Sequence, residues 1–133
     1  MLFRSLGGEI TTVRTLGMDQ SSSVAIVDFR FTNTSNHPFI VQSTGMSVVD
    51  SKGEAKPGYM VAARDTNQLF DLFPGLGARS AETLVIKTRF APQESRTAML
   101  TARFDLGKGE LDTRQKIILS ITDVDGAISE VAR

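Results

Sequence analysis

The sequence predicts one all-β domain over residues 1–133, a sandwich of two sheets, and three observations carry that prediction. Apolar and polar residues alternate with period two through most of the chain, the pattern of strands that turn one face to a core. Clusters of Gly, Pro, Asn, Asp and Ser interrupt the alternation every ~8–12 residues, the turn spacing of short antiparallel strands. Helical spacing of apolar residues is confined to one stretch, residues 65–75. The length, 133 residues, suits a single core burying roughly two-thirds of the unfolded chain's surface.

Taken in order, the first strand is expected at residues 9–15. The clearest follows at 23–33, where Ala25, Val27, Phe29 and Phe31 point one way and Asp28, Arg30 and Thr32 the other, so one face is expected to be wet. Asn, Ser and Pro38 make residues 33–38 a turn. Phe39 and Val41 share one parity and Met46 and Val48 the other, so a bulge or bend at Gly45 is needed for all four to face the core. Residues 50–53 form a second turn, and Tyr59, Val61 and Ala63 a short strand near an edge. Leu84, Ile86 and Phe90 alternate in one strand, Leu100, Ala102, Phe104 and Leu106 in another, and Ile117, Leu119 and Ile121 in a third. The resulting fold class is an immunoglobulin-like Greek-key β-sandwich of about seven strands with one short helical turn. A small closed barrel is the alternative. Phe29, Phe31, Leu84, Ile86, Leu100 and Phe104 are expected in the core.

The exception at residues 65–75 starts with Asp65 and Gln68 in capping-box spacing, continues with Leu69, Phe70, Leu72 and Phe73, and stops at Pro74 and Gly75. It reads as a helical turn across one end of the sandwich. Four large apolar residues in five positions exceed what one turn can direct inward. Leu69 and Leu72 or Phe73 are therefore expected to anchor it, leaving Phe70 partly exposed. Leu69, Phe70 and Phe73 are the candidate partner-binding residues.

Composition excludes several functions. Lys and Arg number 15 and Asp and Glu 15, a net charge of +0, so no summed field favours nucleic acid or acidic lipid. There is no cysteine, hence no disulfide, thiolate chemistry or cysteine-linked lipid. No stretch reaches the length of a membrane span, and the chain as written reads as soluble. Residues 1–8 carry no signal-peptide core and look like the start of a chain trimmed after a leader.

No catalytic residue is assigned. The only imidazole, His37, lies in a turn, and neither a G-x-S-x-G elbow nor an H-E-x-x-H helix is present. Asp123, Asp125 and Gly126 loosely match the opening of a calcium loop without its later oxygen ligands, and read first as a turn. Gly75 and Gly77 lack the fuller glycine pattern of a phosphate cradle. With no Trp and one Tyr, the aromatic platforms of sugar-binding sandwiches are missing. Asn33-Thr34-Ser35 fits a glycosylation acceptor and equally a β-turn.

Three segments, residues 27–39 (VDFRFTNTSNHPF), 48–53 (VVDSKG) and 73–92 (FPGLGARSAETLVIKTRFAP), resemble a bacterial family of secreted or lipid-anchored immunoglobulin-like domains of unknown function, related in fold to a mycobacterial immunoprotective extracellular antigen. In that family a strand ending in an Asn-polar turn precedes one closed by Asp and Gly, and a Pro-Gly loop leads into a strand ended by Pro. This chain departs from it in lacking a leader and an anchoring Cys, and in having Glu82 where a Gly usually opens the strand. The resemblance implies an extracytoplasmic location, periplasmic or secreted, and no catalytic residues. The functional expectation is a non-enzymatic module making protein–protein contacts or self-associating, with no cofactor; the alternative is a small-ligand or calcium-binding sandwich.

Overall fold

The computed structural model describes residues 6–133. Of the expected chain start at residues 1–8, the first five lie outside the described residues. Two antiparallel sheets enclose the core. The first has the order β1-β2-β7-β5, built from Leu6–Asp19, Ser22–Asn33, Ser95–Phe104 and Tyr59–Met60. The second has the order β4-β3-β8-β9, from Ala55–Pro57, Phe39–Val49, Lys116–Asp123 and Ile128–Ala132, with β6 (Arg89–Phe90) pairing on β3. Crossovers from β2 to β3 and from β7 to β8 make the Greek key, and the fold is an immunoglobulin-like sandwich. Among the described residues there are nine strands, β4 and β9 lying beyond the seven expected. In β9, Ser129 is buried and Ile128 exposed, while Val131, on the same face as Ser129, packs against the core.

The inward parity of β2 is as expected: Ala25, Val27, Phe29 and Phe31 are buried. Phe31 stacks on Phe29 and Phe90 with ring centroids 5.2 and 4.4 Å apart, and Phe39 meets Phe90 edge-on. Burial of each such side chain stabilises the sandwich by roughly 1.5–3 kcal/mol. Leu100, Phe104, Ile117, Leu119 and Ile121 complete the core from the facing strands. β3 runs unbroken, and the shift that turns Phe39, Val41, Met46 and Val48 inward lies between Val41 and Ser43, not at Gly45.

Both expected turns form. Asn33 is fully buried; its Nδ2 donates to the carbonyls of His37, Phe90 and Ala91 at 2.7, 3.1 and 3.3 Å, and its Oδ1 accepts from Ser35. An amide held this way is closed to glycosylation in the folded protein, which removes the acceptor reading. Asp50 Oδ1 accepts the N–H of Lys52 and of Glu54, each at 2.9 Å, while Gly53 adopts φ +84°.

Helical structure exceeds the single turn expected. Helix α1 spans Ala63–Leu72, a 3-10 turn follows at Pro74–Leu76, and helix α2 covers Lys108–Asp112 between β7 and β8. Helix α1 begins at the extended residue Ala62 with no side-chain cap, so the Asp65–Gln68 box is unused. It ends at Leu72 because Phe73 precedes a proline, which disfavours helical backbone at Phe73.

Helix α1 does not cross the end of the sandwich. It lies on the outer face of the first sheet, where Val24, Ile26 and Met99 form a second buried cluster under Leu69, Phe70, Leu76 and Ala81. The outer face of β2 is therefore dry over Val24, Ile26 and Asp28, and only Arg30 is fully exposed. The continuous apolar run Val24-Ala25-Ile26-Val27 is the mark of a strand covered on both sides.

The expected strand 84–90 is broken. Leu84 is buried and its N–H bonds to the Met99 carbonyl, in the first sheet. A turn follows at residues 85–88, with Lys87 at φ 70° and its N–H on the Val41 carbonyl, and β6 then joins the second sheet. Ile86 sits on that turn, 59% exposed, and is not core.

Candidate functional site

Of the residues singled out for partner binding, Leu69 and Phe70 sit on α1 and Phe73 just after it; Thr66, Leu69 and Phe70 fall at i, i+3 and i+4 and share one face. Leu69 and Phe70 pack on Val24, Ile26 and Met99. The Arg14 guanidinium lies 5.1 Å from the centre of the Phe70 ring and covers it. Arg14 Nη2 also stands 3.5 Å from Asp28 Oδ2, which accepts from the Ser80 hydroxyl at 2.8 Å, and bonds to the Ala78 carbonyl at 3.0 Å. This cluster clamps the chain after the helix onto the sheet. Phe70 is thus an anchor, and the residues left facing solvent are Leu72, 70% exposed, and Phe73, 37% exposed. Neither Leu72 nor Phe73 packs on the Val24, Ile26 and Met99 cluster that holds Leu69 and Phe70.

A second apolar surface begins at the other end of α1, along the open seam between the sheets. β3 is covered on its outer edge by β6 at residues 39–40 and by β4 at residues 47–49; Val41 bonds to Thr88 and Lys87, the Met46 carbonyl accepts the N–H of Gly58, and among the described residues no strand covers residues 42–45. A groove of about 350 Å³ lies beside Thr44 in that stretch. Met60, Leu84 and Leu100 contribute to its lining from the first sheet and its edge, and Val61, Val85 and Ile86 from the flanking loops. Val85 is 51% exposed. The lining carries no ionisable side chain; its polar groups include the hydroxyls of Thr44 and Thr83, and Thr83 Oγ1 is buried without a hydrogen-bond partner in the protein. Sequence reasoning assigned Ile86 to the core, since nothing local announces a positive φ at Lys87.

The remaining candidates are turns. His37 is exposed between β2 and β3. Asp123 is fully buried, its Oδ1 lying 3.4 Å from the N–H groups of Ile40 and Asp125, and Gly126 closes the reversal at φ +90° with its N–H on the Asp123 carbonyl. Among the described residues no group of three or more His, Asp and Glu could hold a metal ion. Gly75 and Gly77 lie in open space. The carboxylates held below their usual range are those of Asp19, Glu94 and Asp112, lowered first by hydrogen bonds from the Ser21 N–H, the Ala91 N–H and Lys108 respectively; none lines the groove. No helix among the described residues is long and apolar enough to cross a membrane.

No protein-family model matches the chain, and no curated protein does. Among solved structures, the chain is similar to an uncharacterized beta-sandwich protein from Clostridium difficile 630, at 11% identity and TM-score 0.47, over 99% of this chain and 87% of that one. It is also similar to the archaellum periplasmic stator protein complex FlaF and FlaG from Sulfolobus acidocaldarius, at 13% identity and TM-score 0.38, over 100% of this chain and 90% of that one. The stator protein FlaG from the same organism matches at 10% identity and TM-score 0.36, over 96% of this chain and 99% of that one.

Proposed function

We propose that this protein is a non-enzymatic immunoglobulin-like binding module that takes an extended apolar segment of a partner protein into the groove beside β3. The observation that carries the reading is the groove itself: a concave, uncharged, largely apolar surface with Val85 and Ile86 exposed at its rim, 51% and 59%. It follows residues 42–45 of β3, which lack a strand neighbour, so an extended segment could bond to the backbone of that short stretch while its side chains enter the groove. A lining without acid, base or thiol supports the non-enzymatic reading. The three-segment resemblance to secreted or lipid-anchored domains supports a place in the bacterial envelope or outside the cell.

Peptides selected on the protein from a displayed random library test the site. The expected winners alternate apolar residues, shift the amide signals of Thr44 and Leu84, and bind about 10-fold more weakly to Val85→Ser/Ile86→Ser. The thermal stability of that double variant should stay near wild type, because both side chains face solvent. Peptides that bind the double variant equally well would overturn the groove assignment. A cytoplasmic pool on fractionation of the source cells would overturn the location.

A further inference from the structure

The opposite seam of the sandwich has different chemistry. There β1 shifts register between Ile10 and Thr12, and the seam between β1 and β9 opens into a cleft of about 320 Å³ lined by Thr11, Thr12, Val13, Arg114 and Arg133. Five arginines among the described residues form ion pairs with carboxylates, namely Arg14, Arg30, Arg79, Arg96 and Arg103. Arg114 and Arg133 are bonded to neutral carbonyls instead. Arg114 Nη1 donates to the Leu111 carbonyl at 3.0 Å, at the end of α2. Arg133 Nη1 donates to the Thr11 carbonyl at 2.8 Å and lies 3.5 Å from that of Ile10, at the register shift.

These bonds tie both guanidinium groups to the cleft wall through one nitrogen each. A guanidinium has five N–H donors in a rigid fork, so each retains donors beyond those bonded to the carbonyls. No acidic side chain lines the cleft, and the main-chain oxygen of Arg133 accepts the N–H of Ile117 at 2.8 Å. Asp112 feels Arg114 through space, but its oxygens are taken by Lys108 and Thr15, each at 2.6 Å. Two guanidinium groups thus line one concavity with no acidic side chain in its wall, and an anion bound there would pair with both.

We propose that this cleft is an oxyanion site, in which Arg114 and Arg133 bind a doubly charged tetrahedral anion of the phosphate type with the Thr12 hydroxyl at its rim. Two guanidinium forks match the charge and the oxygen geometry of such an anion better than those of a single carboxylate. The site lies across the sandwich from the apolar groove and stands whether or not the groove binds a peptide.

The test is thermal unfolding of the full chain in inorganic phosphate, in acetate and in chloride at one ionic strength, with amide spectra recorded along the phosphate titration. Phosphate should raise Tm saturably by about 3–5 °C over chloride. The Thr11 and Thr12 amide signals should move in the same titration, and acetate should do markedly less. Arg114→Gln/Arg133→Gln should abolish the rise, and each single change should weaken apparent binding about 10-fold. Arg64→Gln, away from the cleft, should leave it intact. A rise that persists in the double variant, acetate acting as strongly as phosphate, or no saturable shift in the wild type would overturn the proposal. Should the double variant fold poorly, the single variants read by amide shifts decide in the same terms.

Discussion

Exchanging Phe70 or Leu72 for serine separates the two roles that α1 combines. Phe70 packs on Val24, Ile26 and Met99 with the Arg14 guanidinium 5.1 Å from its ring centre, whereas Leu72, two residues on, is 70% exposed. Full burial of a Phe side chain is worth about 3 kcal/mol at most, and partial burial about 2 kcal/mol. The cation–π contact adds about 0.5–1 kcal/mol. Phe70→Ser should therefore destabilise the domain by about 2–3 kcal/mol, lowering Tm by about 10 °C for a chain of this size. Leu72→Ser should change stability by less than about 0.5 kcal/mol. Urea unfolding followed by far-ultraviolet circular dichroism, with calorimetry for Tm, reads both. A further arm strengthens the test: in Arg14→Gln the Phe70→Ser penalty should shrink, because the ring contact is already gone. If Phe70→Ser were neutral, or Leu72→Ser the costlier change, the helix would not be anchored through the second apolar cluster and the reasoning would fail.

Two further predictions address the scaffold that shapes the seam. A Cβ at Gly58 would stand 2.8 Å from Phe104 Cζ and 2.9 Å from Ala102 Cβ, so Gly58→Ala should cost about 1–3 kcal/mol in urea unfolding. Gly75, with nothing within 4 Å of its built Cβ, should accept alanine at nearly no cost; equal effects at both positions would contradict the packing. Asn33→Asp places a carboxyl oxygen where three carbonyls now receive N–H bonds, which favours the protonated acid. The folded-state pKa is then raised above the unfolded one. Relative stability is retained at acid pH and lost as the pH rises through the carboxylate range, with a deficit of about 2–3 kcal/mol near neutrality. A deficit independent of pH between about 4 and 7.5 would refute the contacts assigned to Asn33.

Much of the architecture follows from local pattern. In β2, β7 and β8 one parity faces the core between the sheets, Ala25 to Phe31, Leu100 to Phe104 and Ile117 to Ile121, because a strand alternates its faces; the other face of β2 and β7 is covered in part by α1. The turns at Asn33 and Asp50 are equally local, since Asn and Asp side chains bond to backbone a few residues on. Two misreadings share one cause. Ile86 alternates correctly with Leu84, but the intervening backbone leaves one sheet for the other. Phe70 has the helical spacing of a free side chain, yet the helix rolls it onto the sheet. Period and spacing tell which residues share a face and do not tell what that face meets.

The sequence alone determined that this chain is a β-sandwich, with its inward strand faces and its Asn and Asp turns, since these rest on side-chain periodicity and hydrogen bonds made within a few residues. Tertiary structure decided where α1 lies, where β3 shifts register, and which parts of the two seams stay uncovered. It also brought Arg114 and Arg133, 19 residues apart in sequence, onto one cleft, and set Ile86 beside Val61 across a groove. Such placements depend on long-range packing between sheets: the free energy that selects them comes from surfaces distant in sequence being buried together, and no local window contains both.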